Sequence, residues 1–504
     1  MLNCRAFDCP DSNTRTSLIL TKNKLLVELS QDDTEETISN YIKNGIINFG
    51  LDLFFGSVQQ NLKIIAFLKK ASLRESELLG FSIPLSIYVK LSPRLQYTGR
   101  FKRNKTALHL KVHRKVTLTT NRDYASASCH SIIYVNAKFL IGDVRKCDII
   151  CLGRYVQLQV LEVQSQLLIC NVIVAGVVRP QMPVRFPKYI EEAHSKISAE
   201  ELEDIGLAMG TNINVIVSFT PGNDKYCAEL RDTLAEFKCN HFYLFTRLNL
   251  SCLESSEDAH RISDEYDGFL IDYSNTVCTD DKIVKLSPLA REFMENSYRK
   301  KKPIFLLGCW SNLIDPSDYR CAFQYPDKYV LPCDLKFLHL FEAIFHNLSK
   351  TDLLGNQQNM NLGSNNAFAR SIAAASWDFQ AEAIIVCSTV GEMAIRISHF
   401  RPKSVIVATT SLNSALNYSS MHHNICMLSF NYKDNNDSLV SHKEENHQKL
   451  IHGLRYALFK KHVNSSDTVI LVYRQHFHYG STDKFVVVNI DDDYEEAIRN
   501  VIFN

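Results

Sequence analysis

Apolar and polar positions alternate along this chain with two different periods, and the places where the period changes mark its organisation. In the first such stretch Ile38, Tyr41 and Ile42 share one helical face, Asp33 and Thr34 offer an N-cap, and Gly45 ends the helix before the apolar run Ile46 to Phe55. A helix therefore feeds a strand. The pattern resumes near residue 198: Ser198 to Met209 reads as a helix, INVIVSF (213–219) as a buried strand, and Asp224 to Phe237 as a helix with Leu230, Leu234 and Phe237 inward. HFYLFT (241–246), YDGFLIDY (266–273) and PIFLLG (303–308) are further short strands, with a helix from Pro288 to Lys300 between the last two. Strands separated by helices of this length predict parallel β/α units.

Between about residues 98 and 187 the period drops to two. VTLTT (116–120), SIIYV (131–135), YVQLQVLEV (155–163) and LLICNVIVAGVV (167–178) are β-branched and alternating, so this segment reads as an all-β insertion. A Gly/Asn-rich stretch, LLGNQQNMNLGSNN (353–366), has the composition of a linker. Beyond it AFARSIAAASWDF (367–379) is helical, EAIIVCS, SVIVATT and ICMLSF are strands, and TVILVYR with KFVVVNI close the chain. A barrel interrupted after an early strand gives this order, and so does an open doubly wound sheet; periodicity does not separate the two.

Composition narrows the function classes. Net charge is +1, from 56 basic and 55 acidic residues, so no global field would recruit nucleic acid or an anionic membrane. The fifteen cysteines are scattered without a CxxC pair, which argues against a disulfide framework or a zinc site and for a reducing compartment. No apolar run near the N-terminus could serve as a signal sequence and no later stretch approaches a membrane span, so a soluble, cytoplasmic protein is expected. Gly99 to Lys115 holds seven Lys/Arg and no acid, but no aromatic stacking series accompanies it, and a solvated edge is the better reading than a nucleic-acid patch. Arg299 to Lys302 reads as cations at a helix C-terminus before Pro303, and His422, His423, His476 and His478 lack the neighbours of a metal site. The Asn417 sequon carries no weight without a secretory route.

Several blocks resemble pyruvate kinases. DGFLIDY (267–273), KKPIFLL (301–307) and GEMAIRISHFRPKSVIVATT (391–410) are similar to that family's "DGIMVARGD", "KPVI" and "SG…RYRP…I…T" segments, the last most specifically. NGIINFGLDLFFGS (44–57) is similar to "GMNVARLNFSHG", and SAEELEDI (198–205) to "SEKD…D". The blocks run in family order at family spacing from about residue 20 onward. The resemblance implies an α/β fold: a (β/α)8 TIM barrel, residues 1–97 and 188–352, with an inserted β-barrel lid at 98–187, a linker at 353–366 and a C-terminal α/β domain with a mixed sheet at 367–504. It also implies the glycolytic transfer of a phosphoryl group from phosphoenolpyruvate to ADP with Mg2+ and K+.

The positions that carry this chemistry in the family are rewritten here. Its two Mg2+ carboxylates match Asn249 and Asn275, amides of similar shape without the charge. Its phosphate-facing Lys matches Arg247, its substrate Arg matches Gly50, and the Thr beside the reacting carbon matches Gly308. Potassium positions match Asp52, Phe54 and, more loosely, Val89, and the family's His in the same segment matches Phe55. The lid's "DDG" becomes Leu152, Gly153 and Arg154, and a stretch supporting the neighbouring subunit is absent near Asp315 to Asp318. The expectation is a protein with the family fold that has lost most or all catalysis, acting as a structural or regulatory paralogue that assembles with itself or with an active pyruvate kinase; the alternatives are a slow or altered enzyme and a metabolite-binding regulator. For the last, the effector loop of allosteric members matches Ser388, Thr389, Val390, Gly391 and Glu392, where the turn survives but Glu392 opposes an anion; a purely structural turn is the expected reading.

Overall fold

A computed structural model describes residues 24–29, 33–53, 57–79, 82–91, 96–102, 107–125, 127–135, 144–153, 156–164, 167–178, 182–186, 197–218, 224–237, 241–249, 253, 255–272, 288–307, 326–331, 364–430, 438–474, 483–491 and 493–503. Eight parallel strands close into a barrel in chain order: β1 (Leu25–Leu29), β2 (Asn48–Asp52), β3 (Ser86–Lys90), β4 (Val215–Ser218), β5 (Tyr243–Asn249), β6 (Gly268–Asp272), β7 (Ile304–Leu307) and β8 (Lys328–Leu331), with β8 paired back onto β1. The closure settles the choice between barrel and open sheet in favour of the barrel.

Between the strands run α1 (Glu35–Lys43), α2 (Val58–Leu79), α3 (Ala199–Gly210), α4 (Asp224–Glu236), α5 (Ser256–Glu265) and α6 (Pro288–Arg299). Local chemistry fixes several of their ends. Thr34 caps α1 by accepting from the Thr37 N–H at 3.2 Å, and Gly45, at φ +84°, reverses the chain into β2. A capping box starts α3: Ser198 Oγ accepts from Glu201 N–H at 3.1 Å, while Glu201 Oε2 accepts from Ser198 N–H at 2.7 Å. Residues from both strands and helices, among them Ile38, Leu51, Val89, Leu230, Phe269 and Leu306, form the layer between barrel and helices. Phe237, expected inward, lies just past the end of α4 and is 47% exposed, because the helical face that carries Leu230 and Leu234 inward ends with the helix.

The β insertion sits between β3 and α3. Its seven-stranded mixed sheet runs from Gln96–Tyr97 to Pro183–Arg185, and a bridge between Thr98 and Val135 brings its two edges together, so the sheet is curled. Leu118, Ile133, Leu158 and Val172 fill its separate core, as the alternation predicted. Leu152 belongs to that core and Gly153 turns the chain at φ +62°; Arg154 lies outside the described residues.

The C-terminal unit is a five-stranded mixed sheet, built from β9 (Ala383–Cys387), β10 (Val405–Thr410), β11 (Ile425–Ser429), β12 (Thr468–Arg474) and β13 (Asp483–Asn489), with only β13 antiparallel to its neighbour. Helices α7 (Ser364–Asp378), α8 (Glu392–His399), α9 (Asn413–Ser420), α10 (Ser438–Phe459) and α11 (Tyr494–Phe503) surround it. The last helix was not expected from the sequence; it docks through Ile498 and Ile502.

Helix α9 also closes the barrel from below. Tyr418 and Met421 pack into the interior cluster of Leu26, Tyr88, Val215, Phe245, Leu270, Phe305 and Val330, and Tyr418 stacks on Tyr243 with ring centroids 3.6 Å apart. Beside this plug Asp327 accepts from the Ile304 N–H at 2.9 Å and pairs with Arg401 at 3.3 Å, next to the fully buried Lys328. Among the described residues no helix is long and apolar enough to cross a membrane.

Candidate functional site

Side chains at the C-terminal ends of barrel strands converge on the barrel mouth, the face where this architecture carries its chemistry. In β1, β2 and β3 the residues in one row are Glu28, Gly50 and Tyr88, and the next row pairs Asp52 with Lys90. Alternation points all five inward, since the intervening Val27, Leu51 and Val89 belong to the layer under the helices. A hydrogen bond spans the row: Tyr88 Oη donates to Glu28 Oε1 at 2.6 Å, reaching across the strand that carries Gly50. Lys90 Nζ is ion-paired with Glu28 and lies 3.9 Å from Asp52 Oδ2.

Gly50 makes that reach possible. A Cβ at this position would stand 2.4 Å from Tyr88 Cζ and 2.6 Å from its hydroxyl oxygen. The tyrosine ring therefore fills the volume into which a side chain on residue 50 would project.

The electrostatics follow from burial. The Lys90 side chain is 2% exposed, and desolvation holds its pKa below the usual lysine value, an effect that the Glu28 and Asp52 carboxylates partly oppose and Arg247 adds to. Burial, then the Glu28 charge and hydrogen bond, push the Tyr88 phenol well above its ordinary range, so it stays a neutral donor. Arg247 is half-buried on β5 and faces inward with Phe245, close enough to act on both Lys90 and Tyr88.

The residues singled out from the sequence separate into three sets. Gly50, Asp52 and Arg247 lie on neighbouring or facing strands of the mouth. Val89, matched to a potassium position, lies on the outer side of β3, and the inward residues of that strand are Tyr88 and Lys90. Asn249 ends β5 in register with Asp272, while Asn275, Gly308, Phe54, Phe55 and the 315–318 region lie outside the described residues, as do His476, His478 and most of the 353–366 stretch. Sequence reading passed over Glu28, Tyr88 and Lys90. Their signal was there: LLVEL and SIYVK each place a charge among apolar residues in a strand with no polar face.

The loop at 388–392 turns between β9 and α8. Ser388 Oγ accepts from the Gly391 N–H at 2.8 Å, and Gly391, at φ +80°, packs so tightly that a Cβ would stand 2.1 Å from Ser419 Oγ. Thr389 and Val390 are exposed, the Thr389 carbonyl accepts from Thr410 Oγ1 at 2.5 Å, and Glu392 is paired with Arg396. The hydroxyl of Ser388 is thus spent on the turn itself.

No metal-ligating group of three or more His, Cys, Asp or Glu occurs among the described residues. His422 lies in the barrel floor with Nδ1 3.1 Å from the Tyr418 carbonyl, and His423 Nδ1 lies 2.7 Å from Arg401 Nη1. Lys300 and Lys302, expected to favour their own helix end, reach instead to α5, at Asp264 and at the Ser263 and Asp264 carbonyls.

Residues 366–488 match the family model for the pyruvate kinase alpha/beta domain. That match covers the five-stranded unit, from α7 to the end of β13. This unit is similar to the pyruvate kinase alpha/beta domain, and it follows an eight-stranded barrel with a curled β insertion after its third strand.

Proposed function

We propose that this pyruvate kinase-like protein has lost most or all transfer of a phosphoryl group from phosphoenolpyruvate to ADP and serves as a structural or regulatory paralogue. The observation that carries this reading is the Glu28–Tyr88 hydrogen bond over Gly50. The resemblance puts the substrate arginine at Gly50, and the space such a side chain needs is filled by the Tyr88 ring. The cation has not simply been moved by one residue, because the neighbouring position of β3 presents Lys90, whose charge is already engaged by Glu28 and Asp52.

Metal binding is part of the same proposal. Asn249 and Asn275 stand where the resemblance puts Mg2+ carboxylates, and neutral amides hold a hard divalent cation weakly. Asp52 is matched to a potassium position, and Lys90 Nζ lies 3.9 Å from its carboxylate, so the lysine stands beside the carboxylate that would hold the ion. Added K+ is therefore expected to leave the protein's thermal midpoint unchanged, and Mg2+ to bind weakly. A cytoplasmic location and assembly with itself or with an active pyruvate kinase complete the reading; the fifteen scattered cysteines, without a CxxC pair, support a reducing compartment.

Pyruvate formation from phosphoenolpyruvate and ADP, with Mg2+ and K+, tests it on the wild type and on the double variant Asn249→Glu/Asn275→Asp. A silent wild type supports the proposal, and any turnover in the double variant traces the loss to the metal carboxylates. Turnover of the wild type at ordinary enzyme rates, about 1–1,000 per second, would overturn it and leave an active pyruvate kinase.

A further inference from the structure

Loss of phosphoryl transfer explains what the mouth lacks, but not what it holds. Lys90 is a nearly buried amine on the inner face of a barrel strand, and desolvating an ammonium costs several kcal/mol unless something offsets it. An ion pair with Glu28 alone would be a structural answer. The cluster contains more: the Tyr88 phenol bonded to the same carboxylate, Asp52 on the next strand, and Arg247 facing them from β5. An amine, an adjacent proton acceptor, a neutral hydroxyl donor and a guanidinium form the constellation that amine–carbonyl condensation needs.

We propose that Lys90 is a nucleophile that condenses with a short 2-oxo carboxylate to form an imine, with Glu28 taking and returning the proton and Arg247 receiving the carboxylate. The ammonium first passes a proton to Glu28, and the Nζ lone pair attacks the carbonyl carbon, forming the C–N bond as the C=O π electrons move to oxygen. Proton transfer from nitrogen to that oxygen gives a neutral carbinolamine. Glu28, now protonated, donates to the departing hydroxyl, the C–O bond breaks, water leaves, and the nitrogen lone pair forms the C=N bond of a protonated imine, with Glu28 returned to its carboxylate. Overall one ammonium and one carbonyl become one protonated imine and one water, with charge conserved and no change in oxidation state.

Each group has a reason to be where it is. Burial and Arg247 both favour the neutral amine that the attack requires. Tyr88 holds Glu28 in place and, remaining protonated, steadies its negative charge. A guanidinium binds a carboxylate through paired N–H donors, which selects 2-oxo acids over plain aldehydes. The inference is independent of the loss of phosphoryl transfer, since imine formation involves neither nucleotide nor divalent metal.

Incubating the full chain with glyoxylate or pyruvate and sodium cyanoborohydride, followed by proteolysis and mass mapping, tests it. The expected result is a reduced carboxyalkyl adduct on Lys90, absent in Lys90→Arg, which retains the positive charge. Glu28→Gln should slow labelling about a hundredfold, the contribution of a general base. Arg247→Met should remove the preference for glyoxylate over acetaldehyde while Lys90 is still labelled. Labelling confined to exposed lysines, or no labelling of the folded wild type, would overturn the proposal. Mapping within the wild type makes that decision whether or not the variants fold, and circular dichroism reports which of them do.

Discussion

The side-chain amide of Asn417 in α9 satisfies both backbone groups of Ile87 in β3: its Oδ1 accepts from the Ile87 N–H at 2.6 Å and its Nδ2 donates to the Ile87 carbonyl at 2.7 Å. The same Nδ2 also donates to Asn214 Oδ1 at 2.8 Å. One buried residue of the C-terminal unit thus behaves as an extra rung beside a barrel strand. It also shows why the Asn417 sequon is no modification site in the folded chain, the residue being 8% exposed.

Replacing Asn417 by Ala should leave a buried N–H and a buried carbonyl of Ile87 without this partner, at a cost of about 2–4 kcal/mol. Asn417→Asp keeps an acceptor for the N–H but places a carboxylate against a carbonyl, and should be no better. Urea unfolding of both variants measures this, and a loss below about 0.5 kcal/mol would show that the pairing contributes little.

At Gly50 the smallest added side chain is expected to be harmful. Gly50→Ala drives a methyl into the Tyr88 ring and should destabilise the protein by about 1–3 kcal/mol. Tyr88→Val in the same chain removes the clash, so the double variant should lose less than the sum of the two single losses. A double-mutant cycle by chemical denaturation gives the coupling. Additive effects would mean that the two residues do not meet.

Within the mouth the Lys90–Glu28 pair should be costly to break and cheap to remove. Glu28→Gln removes the closer of the two carboxylates beside the buried ammonium, leaves Asp52 at 3.9 Å, and is expected to lose up to about 3 kcal/mol. Glu28→Gln with Lys90→Met should recover much of that loss. The comparison is made by equilibrium unfolding at one pH.

Stability should rise with pH on the alkaline side because of the barrel floor. Burial lowers Lys328 to about 7, with Asp327 and Cys426 opposing the shift and Lys24 adding to it, and lowers Lys24 to about 8, with Arg401 contributing. His423, also facing Arg401, Lys24 and Lys328, lies well below its ordinary value through burial, and His422 is lowered by burial although Asp327 opposes it. For such groups the unfolded chain binds more protons than the folded one. Stability therefore grows as pH rises from about 7 through the lysine range, by about 1.4 kcal/mol per pH unit for the fully buried Lys328 and by less for the partly exposed Lys24, and that gain is gone below about 7. Thermal melts between neutral and alkaline pH should show the rise in the wild type and a shallower one in Lys328→Met.

Many elements whose burial is one-sided, and several of the fully buried strands, were legible in the sequence. The helix ends at Thr34 and Gly45, the strands at 215–218 and 304–307, and the alternating lid strands follow from capping chemistry and from periods of 3.6 and 2. Leu25–Leu29 was harder, being five residues long with no polar face to give it a period, and α11 hid behind an acidic start, DDDYEE. At the site, resemblance led to Gly50, Asp52 and Arg247 one position at a time. What it could not supply was the relation among them: that Tyr88 crosses Gly50 to reach Glu28 depends on the stagger of three strands brought together by barrel closure.

The plug of the barrel by α9 sets a timetable for folding. The last barrel strand ends at Leu331, but the ring that stacks on Tyr243 belongs to Tyr418, and the neighbouring apolar stopper is Met421. A nascent chain that has released all eight strands still has an open, oily lower end until those residues emerge from the ribosome. Birth of the two units is therefore sequential while their completion is joint, and a chain cut in the segment between them should yield a barrel half that seeks chaperones rather than one that stands alone.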